Sequence, residues 1–572
     1  MRWILSSLPF VGLSTIALFL SHSVQAQLPS NVVPDVDRTL PNPTPPIQPS
    51  PTPTAPIITP SPAPPQEAAP ASGVKFPVRD IEILGGTVLQ SEVEALKREF
   101  LKKFGSAAGF EDLIELRSQI TQLYIREGYV TSGAFLVNGQ TFDPKVPNVV
   151  RIRIVEGILE RIEIDGLRRI PEGYIVSRLN QATQTPINQE RLRNALILLQ
   201  LDPLFAQVNA ELTAGTAPDR SILRVRLTEA PAFRAGVGFD NYQSPSVGEL
   251  QGTAFVRHEN LLGWGDRIVA EFGRTGGLSL YDINYAVPLS PTNTTLNLRY
   301  SNNRSVITEA PFDDLGIRSR AETISAGIRQ PIVRSPQVEV GLGVSLDLRR
   351  SRTFLLDDIP FSFSEGPEDG RSNVTAIRFF QDWIDRTLPN RVIAARSQFS
   401  FGIDAINATV NDSGTDAKFF SWLGQVQWVQ RLANQPNSPV LLARLNAQLT
   451  PDSLLSLERF SIGGVDSLRG YRQNEIVTDN GVTGLVEVRI PVSRNPSIVQ
   501  LQPFLEFGTG WNNRTDNPDP QWLASLGLGV QWQITPSVLL RVDYGVPLIQ
   551  VQDERNAIQD RGFYFSIRYN PF

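Results

Sequence analysis

The 572-residue chain contains no cysteine and only two histidines. The first absence excludes a disulfide framework, a thiolate metal site, a cysteine nucleophile and the lipidated cysteine of a lipoprotein anchor. One of the two histidines, His22, lies in an N-terminal leader, so His258 stands alone and histidine-based chemistry is starved of candidates. A net charge of −5 gives no basic footprint for nucleic acid. Long apolar runs are missing as well. Beyond residue 26 nothing approaches the ~20 apolar residues that a spanning helix needs. No His-Ser-Asp set, metal cluster, phosphate-binding loop or cofactor motif is visible. The expectation is a protein that is not an enzyme, with no catalytic residue, metal or cofactor.

Residues 1–26 read as a secretory signal peptide. Arg2 supplies positive charge, an apolar stretch runs from Leu8 to Leu20, and Val24-Gln25-Ala26 is a small-x-small cleavage site. Residues 27–73 form a Pro-rich linker, with fifteen prolines between 27 and 72. Such a stretch favours extended polyproline geometry and reads as a spacer.

From 74 to 231 the chain reads as two small α+β units of one design, 74–157 and 158–231. The first has a strand at Val78–Leu84, helices near Ser91–Lys103 and Glu111–Glu127, and strands at Tyr129–Val137 and Val149–Glu156. Leu113, Leu116, Ile120, Leu123 and Tyr124 share one helix face, and Gly128 stops that helix. The second repeats the order with Leu159–Ile164, Glu172–Asn180, Asn188–Leu199, Phe205–Leu212 and Ile222–Leu227.

Residues 232–572 contain sixteen candidate strands in which apolar and polar residues alternate. Val338, Val340, Leu342, Val344, Leu346 and Leu348 alternate with Glu339, Gly341, Gly343, Ser345, Asp347 and Arg349; Ala524 to Ile534 follows the same pattern. A closed barrel crosses a bilayer with ~9–11 residues per strand, apolar at every second position, so average hydropathy stays low. Three features favour a membrane barrel over a soluble sandwich. Odd-to-even connections include long polar loops (roughly Asn303–Arg320, Arg350–Arg371, Thr450–Gly481 and Ile549–Arg561), whereas even-to-odd connections are short, with proline at strand ends (Pro288, Pro331, Pro491, Pro536). Trp422, Trp428, Trp511, Trp522 and Tyr544 fall on apolar faces, as in headgroup girdles. The last strand places Phe563, Phe565, Ile567 and Tyr569 on one face and the chain ends on Phe572, like the signal read by barrel-assembly machinery; Asn570-Pro571 puts Phe572 off the alternating face. His258, before the Gly-rich turn Asn260–Gly265, reads as structural.

Three stretches carry a family resemblance. Tyr124-Ile-Arg-Glu-Gly128-Tyr129-Val-Thr-Ser132, with Val155-Glu156-Gly157-Ile158, resembles the end of a POTRA domain and its junction with the next. Phe460-Ser-Ile-Gly463-Gly464-Val-Asp466-Ser-Leu-Arg469-Gly470-Tyr471 resembles the Arg-Gly-aromatic loop motif of the barrel-assembly-factor superfamily. Pro503-Phe-Leu-Glu506-Phe-Gly508-Thr-Gly-Trp511 resembles its partner strand motif. Over about residues 74–572 the chain therefore resembles the outer-membrane transporters of two-partner secretion, the haemolysin-activator and filamentous-haemagglutinin transporter family. The resemblance implies two POTRA domains, the first of that family's own type, followed by a sixteen-stranded transmembrane β-barrel. It implies a place in the outer membrane with the N-terminal region in the periplasm. It also implies partners: a secreted exoprotein, outer-membrane lipid and the barrel-assembly machinery, for a monomer that does not bind nucleic acid.

The resemblance further implies that Arg469 folds into the lumen and pairs with an inward acidic residue on strand 13, here Glu506, where the family usually has aspartate. Alternation agrees: Leu501, Pro503, Leu505 and Phe507 form one face, leaving Phe504, Glu506 and Gly508 on the other. Gly463, Gly464 and Gly470 suit a tight reentrant hairpin, and Asp466 either caps a turn there or joins the charge network, the turn being favoured. Many family members plug the pore with an N-terminal helix, for which the Pro-rich segment is a poor candidate. The implied function is export of one partner exoprotein, its unfolded chain captured by the POTRA domains; the alternatives are insertion of barrels into the membrane and, less favoured, a diffusion porin.

Overall fold

The computed structural model describes residues 74–571 apart from 218, 436, 494, 496–497 and 552–555. The leader, the Pro-rich linker and Phe572 lie outside the described residues.

The first α+β unit runs Val78–Leu84, helix Gln90–Phe104, helix Phe110–Arg126, Gly133–Leu136 and Asn148–Val155. Asn148–Val155 is the central strand, parallel to Val78–Leu84 and antiparallel to Gly133–Leu136. The second helix buries the face expected of it, Leu113, Leu116, Ile120, Leu123 and Tyr124, in one core with Ile81, Val150 and Ile152. The second unit repeats the topology with Ile158–Asp165, Glu172–Leu179, Gln189–Gln200, Phe205–Ala214 and Arg220–Glu229, the last again central. One expectation is corrected. The strand read as Tyr129–Val137 begins only at Gly133, because Tyr129–Ser132 turns back on the helix end: Tyr129 N donates to Tyr124 O at 2.8 Å and Ser132 N to Tyr129 O at 3.0 Å.

The two units meet in a built joint. Asn188 caps the helix Gln189–Gln200, its Oδ1 accepting from Glu190 N and Arg191 N at 3.0 and 3.1 Å, and its Nδ2 donates to Glu127 O of the first unit at 3.0 Å. Gln189 N donates to Gly128 O at 2.8 Å. Gly128 has φ +87°, and a Cβ there would lie 3.0 Å from the Asn188 amide. Gly157 packs so closely on Thr131 that a Cβ would lie 2.0 Å from its hydroxyl. Both glycines are therefore required by the joint.

A second joint ties the second unit to the barrel. Glu229 Oε1 accepts from the backbone N–H groups of Arg168, Arg169 and Ile170 at 2.8, 2.9 and 3.1 Å, and Arg169 Nε donates to Oε2 at 3.0 Å. Burial works against the charge here, but the four donors outweigh it and hold the carboxyl down at about 2. Arg169 O in turn accepts from Asn260 Nδ2 of the first barrel turn at 3.2 Å, and Arg178 donates to Asn293 of the next at 3.1 Å. A depressed carboxylate pKa stabilises the fold above the unfolded value near 4.5, and that contribution is lost as pH falls towards 2. Thermal unfolding of residues 74–231 should therefore show a loss of stability between pH 4.5 and 3 that Glu229→Gln flattens. The variant should also be less stable at pH 7 by about 1.5–3 kcal/mol, the worth of hydrogen bonds to a charged group. Equal melting of both proteins at pH 7 would remove Glu229 as the clasp.

The remaining chain closes into a barrel of sixteen antiparallel strands, from Phe233–Asp240 to Phe563–Tyr569. Its seam pairs Val237–Asp240 with Ser566–Tyr569. Polarity is inverted relative to a soluble protein. Leu505 and Val344 are 54% and 50% exposed on the outside, while Glu506, Glu487 and Asp543 are buried inside. Trp428, Trp522, Tyr544, Phe563, Ile567 and Tyr569 face outward, as alternation requires. No helix among the described residues is long and apolar enough to cross a membrane, and the strands do so instead. The turns touching the second α+β unit mark the periplasmic end, so the long loops lie outside. Pro331 is corrected from strand end to strand interior: it sits inside Arg318–Arg334, where the register shifts at a bulge between Pro331 and Val333. The connection 403–419 is a further long outer loop.

Candidate functional site: a hairpin pinned inside the lumen

The loop between strand 11 (Val440–Leu449) and strand 12 (Asn480–Pro491) turns back into the barrel as a short hairpin, Phe460–Ile462 paired with Ile476–Thr478. Phe460, Ile462, Leu468, Tyr471 and Ile476 pack with Leu523 of the wall. The wall is carved to receive them. A Cβ at Gly508 would lie 2.6 Å from Ile462 Cγ2, and one at Gly481 2.3 Å from the Phe460 ring.

At the hairpin tip Gly463, Gly464 and Gly470 have φ of +114°, +86° and +96°, a region open to glycine and costly for other residues. The turn is capped by Ser467, whose Oγ accepts from Gly463 N and donates to Gly463 O, both at 2.9 Å. Asp466, expected in that role, is instead exposed to the lumen and forms no ion pair among the described residues. A γ-oxygen on residue 467 reaches back to Gly463, whereas the Asp466 side chain points away.

Arg469 is 1% exposed and meets Glu506 as the motif resemblance implied. Its backbone N donates to Glu506 Oε2 at 2.6 Å and its Nε to Oε1 at 2.8 Å. Two further carboxylates also engage it: Nη1 lies 2.8 Å from Asp543 Oδ1 on strand 15 (Val538–Pro547), and Nη2 lies 3.1 Å from Glu487 Oε2 on strand 12. Arg489 and Arg541 pair with Glu487 and Asp543 at 2.9 and 2.7 Å. Three guanidiniums thus balance three carboxylates. The Arg469 guanidinium also stacks 3.4 Å over the Phe504 ring.

The neighbouring tip residues hold on separately. Tyr471 is buried, and its hydroxyl lies 2.8 Å from Ala524 O and 2.9 Å from Ile549 O. Tyr564 on strand 16 accepts from Gly470 N at 3.1 Å and donates to Tyr471 O. Arg472 forms a bidentate pair with Asp560, at 2.8 and 2.7 Å, and reaches Glu309 at 3.0 Å. Those carboxylates belong to two other outer loops.

The base of the hairpin is pinned on the far wall. Arg378 of strand 8 (Arg371–Asp385) donates to both oxygens of Glu458 at 2.8 and 2.9 Å, and to Asp347 of strand 7 (Val338–Leu355). Leu454, Leu455 and Leu457 pack there with Val374 and Ala376. Sequence reading missed Glu487, Asp543, Tyr564, Arg472 and the Glu458–Arg378–Asp347 set. Glu458→Gln should weaken the far anchor by about 1.5–3 kcal/mol, since it removes the charge from a charge-assisted bond. Single-channel recording in planar bilayers should then show opening events about tenfold more frequent or more, with the barrel intact; unchanged opening would make Glu458 a passive contact.

In the first α+β unit, Glu156 closes the sheet edge over the strand-to-helix link. Its Oε1 accepts from Thr87 N at 2.7 Å and its Oε2 from the Thr87 hydroxyl at 2.7 Å. Tyr124 donates to Val88 O at 2.9 Å, and burial together with the Glu156 carboxylate pushes its phenol well above the ordinary range, so it stays a donor. Tyr129 packs edge-on to Tyr124 at 5.9 Å. Tyr124, Gly128, Tyr129, Glu156 and Gly157 therefore hold the unit and its joint together.

The family model described as "Haemolysin secretion/activation protein ShlB/FhaC/HecB" matches residues 219–532, and the ShlB-type POTRA domain matches 76–157. The outer membrane transporter CdiB of Escherichia coli is 24% identical over 507 residues, covering 82% of this chain and 79% of the relative. The heme/hemopexin transporter protein HuxB of Haemophilus influenzae is 21% identical over 496 residues, covering 83% and 84%. A solved structure of CdiB from Escherichia coli superposes with TM-score 0.67 at 21% identity over 90% of this chain and 94% of that one. Two POTRA units and a sixteen-stranded barrel agree with that match, and the chain belongs to the haemolysin secretion/activation family of outer-membrane protein transporters.

Proposed function

We propose that this transporter takes one unfolded partner exoprotein from its POTRA units, passes it through the barrel and releases it at the cell surface, the pinned hairpin holding the lumen closed between substrates. The observation that carries the reading is the union of a sheet edge below and a hairpin pinned within the lumen. Phe205–Ala214 is a ten-residue edge strand flanked by the helix Gln189–Gln200. An edge of this length offers backbone donors and acceptors to an incoming extended segment, and the helix groove beside it takes alternate apolar side chains. Main-chain pairing tolerates many sequences, so a long substrate can step along it. Folding of the exported chain outside supplies the driving force.

Residues 74–231, made as a soluble fragment, should bind the unfolded N-terminal secretion domain of the protein encoded beside this gene. Binding should be modest and fast to dissociate, because ordering an unfolded segment offsets part of the contact free energy. Titration calorimetry checks this. No binding to that domain, together with binding to many unfolded barrel precursors, would move the function to barrel insertion.

A further inference from the structure

The barrel carries an arginine cluster that neither the hairpin nor the POTRA units use. It lies on the outer wall of strands 5 to 8, at the extracellular end. Arg304 stands opposite Arg320, Arg320 opposite Arg352, and Arg352 opposite Arg371. Four arginines therefore form one unbroken row across Thr295–Val306, Arg318–Arg334, Val338–Leu355 and Arg371–Asp385. The next row towards the periplasm is Asn302, Glu322, Arg350 and Asn373, and below it lies Tyr300, Ile324, Leu348 and Thr375. Alternate residues along a strand are about 7 Å apart, so Arg350 lies about 7 Å and the row of four about 14 Å beyond the apolar row, on its extracellular side.

Like charges directly opposite one another on a sheet destabilise it. Among the described residues only Glu322, opposite Arg350, offsets them. None of Arg304, Arg320, Arg350, Arg352 and Arg371 forms an ion pair among the described residues, although the neighbouring Arg318 does, with Asp357 at 2.7 Å. Arg352 Nε is buried without a hydrogen-bond partner. Glu322 is the one carboxylate in the two rows. The Arg320 and Arg352 guanidiniums lie 5.6 and 5.1 Å from the centre of the Phe354 ring. Asn302, Arg320, Glu322, Arg350, Arg352, Arg371 and Asn373 line one shallow depression.

We propose that this depression is a lipid site, binding the anionic headgroup of an outer-leaflet lipid whose acyl chains lie on Tyr300, Ile324 and Leu348 beneath it. Guanidiniums bind phosphate oxygens through paired N–H donors, and an anion among them removes the like-charge repulsion. The hydrocarbon wall that begins below these two rows selects a phosphate that carries chains over one that is free.

The test uses the full chain purified in zwitterionic detergent, compared with an Arg320→Gln, Arg350→Gln, Arg352→Gln, Arg371→Gln variant. Native mass spectrometry reads bound lipid during titration with lipid A or phosphatidylglycerol, with inorganic phosphate as the headgroup-only arm. Wild type should retain anionic lipid at least tenfold more tightly than the variant, with affinity falling as salt rises, and inorganic phosphate should not compete at equal concentration. Thermal stability gives a second reading. In zwitterionic detergent alone the variant should match or exceed wild type, because repulsion is gone; added anionic lipid should raise wild type above it. Equal lipid retention by both proteins overturns the proposal, as does full competition by inorganic phosphate. If the fourfold variant does not form a barrel, Arg352→Gln alone is used, with a loss of lipid affinity of about threefold or more expected and none counting against the site.

Discussion

Replacing Glu506 by arginine is expected to abolish secretion while leaving a folded barrel in the membrane. The wild-type cluster sets Arg469, Arg489 and Arg541 against Glu487, Glu506 and Asp543. Glu506→Arg turns a balance of three and three into four cations and two anions. It also removes the acceptor of the Arg469 backbone N–H and of Nε. Breaking one side of a buried pair costs roughly 3–5 kcal/mol, and the added cation makes the geometry repulsive. Asp543 and Glu487 remain, so the loss should be smaller for Glu506→Gln than for the reversal. Barrel integrity is followed by heat-dependent gel mobility and secretion by the exoprotein found outside the cell. Normal secretion by the arginine variant at normal barrel levels would end the assignment.

Gly545→Val should have an effect of similar size by another route. A Cβ on Gly545 would lie 2.6 Å from Gly470 N and 2.7 Å from Arg469 C, both backbone atoms of the hairpin. Gly545 does not have positive φ, so its strand conformation admits any residue, and the three atoms nearest an added Cβ all belong to the hairpin backbone. The hairpin must lift, and the Glu506 and Tyr564 contacts stretch with it. Overpacking of a tight contact costs about 1–3 kcal/mol, here concentrated on the one element argued to move. Secretion should fall at least tenfold and baseline conductance should rise. Gly252→Val on strand 2 (Gln251–Glu259) is the control, since a Cβ there meets nothing within 4 Å. Equal loss in both variants would show a barrel-folding defect and no effect on the hairpin.

Strand number, register of alternation and the repeated α+β design were legible in the residues because each depends on a local period. Glu506 was legible for the same reason: once Leu505 and Phe507 face lipid, its side must be the lumen. Glu487 and Asp543 have the same inward parity, but so do many polar residues, and which of them converge depends on the stagger of strands 12 to 15. Gly545 held a clue, being an inward glycine beside Asp543 with no turn to explain it. Arg472 follows the motif directly, yet its partners Glu309 and Asp560 lie 163 and 88 positions away. No local pattern links them. Asp466 failed as a cap because only the actual turn geometry decides whether residue 466 or 467 reaches back.

The two anchors of the hairpin lie eight strands apart, Glu458 against strands 7 and 8 and the Gly470–Tyr471 tip against strands 15 and 16, half the circumference of a sixteen-stranded tube. Mechanically the loop is a tie rod across a thin-walled cylinder. Such a cylinder is stiff along its length and soft to flattening, and a tie across its diameter holds the cross-section in one shape. Letting go at either end frees the wall to change from round to oval without breaking any rung of the sheet. A chain arriving in the lumen would then find its clearance by reshaping the tube's outline as much as by emptying its centre.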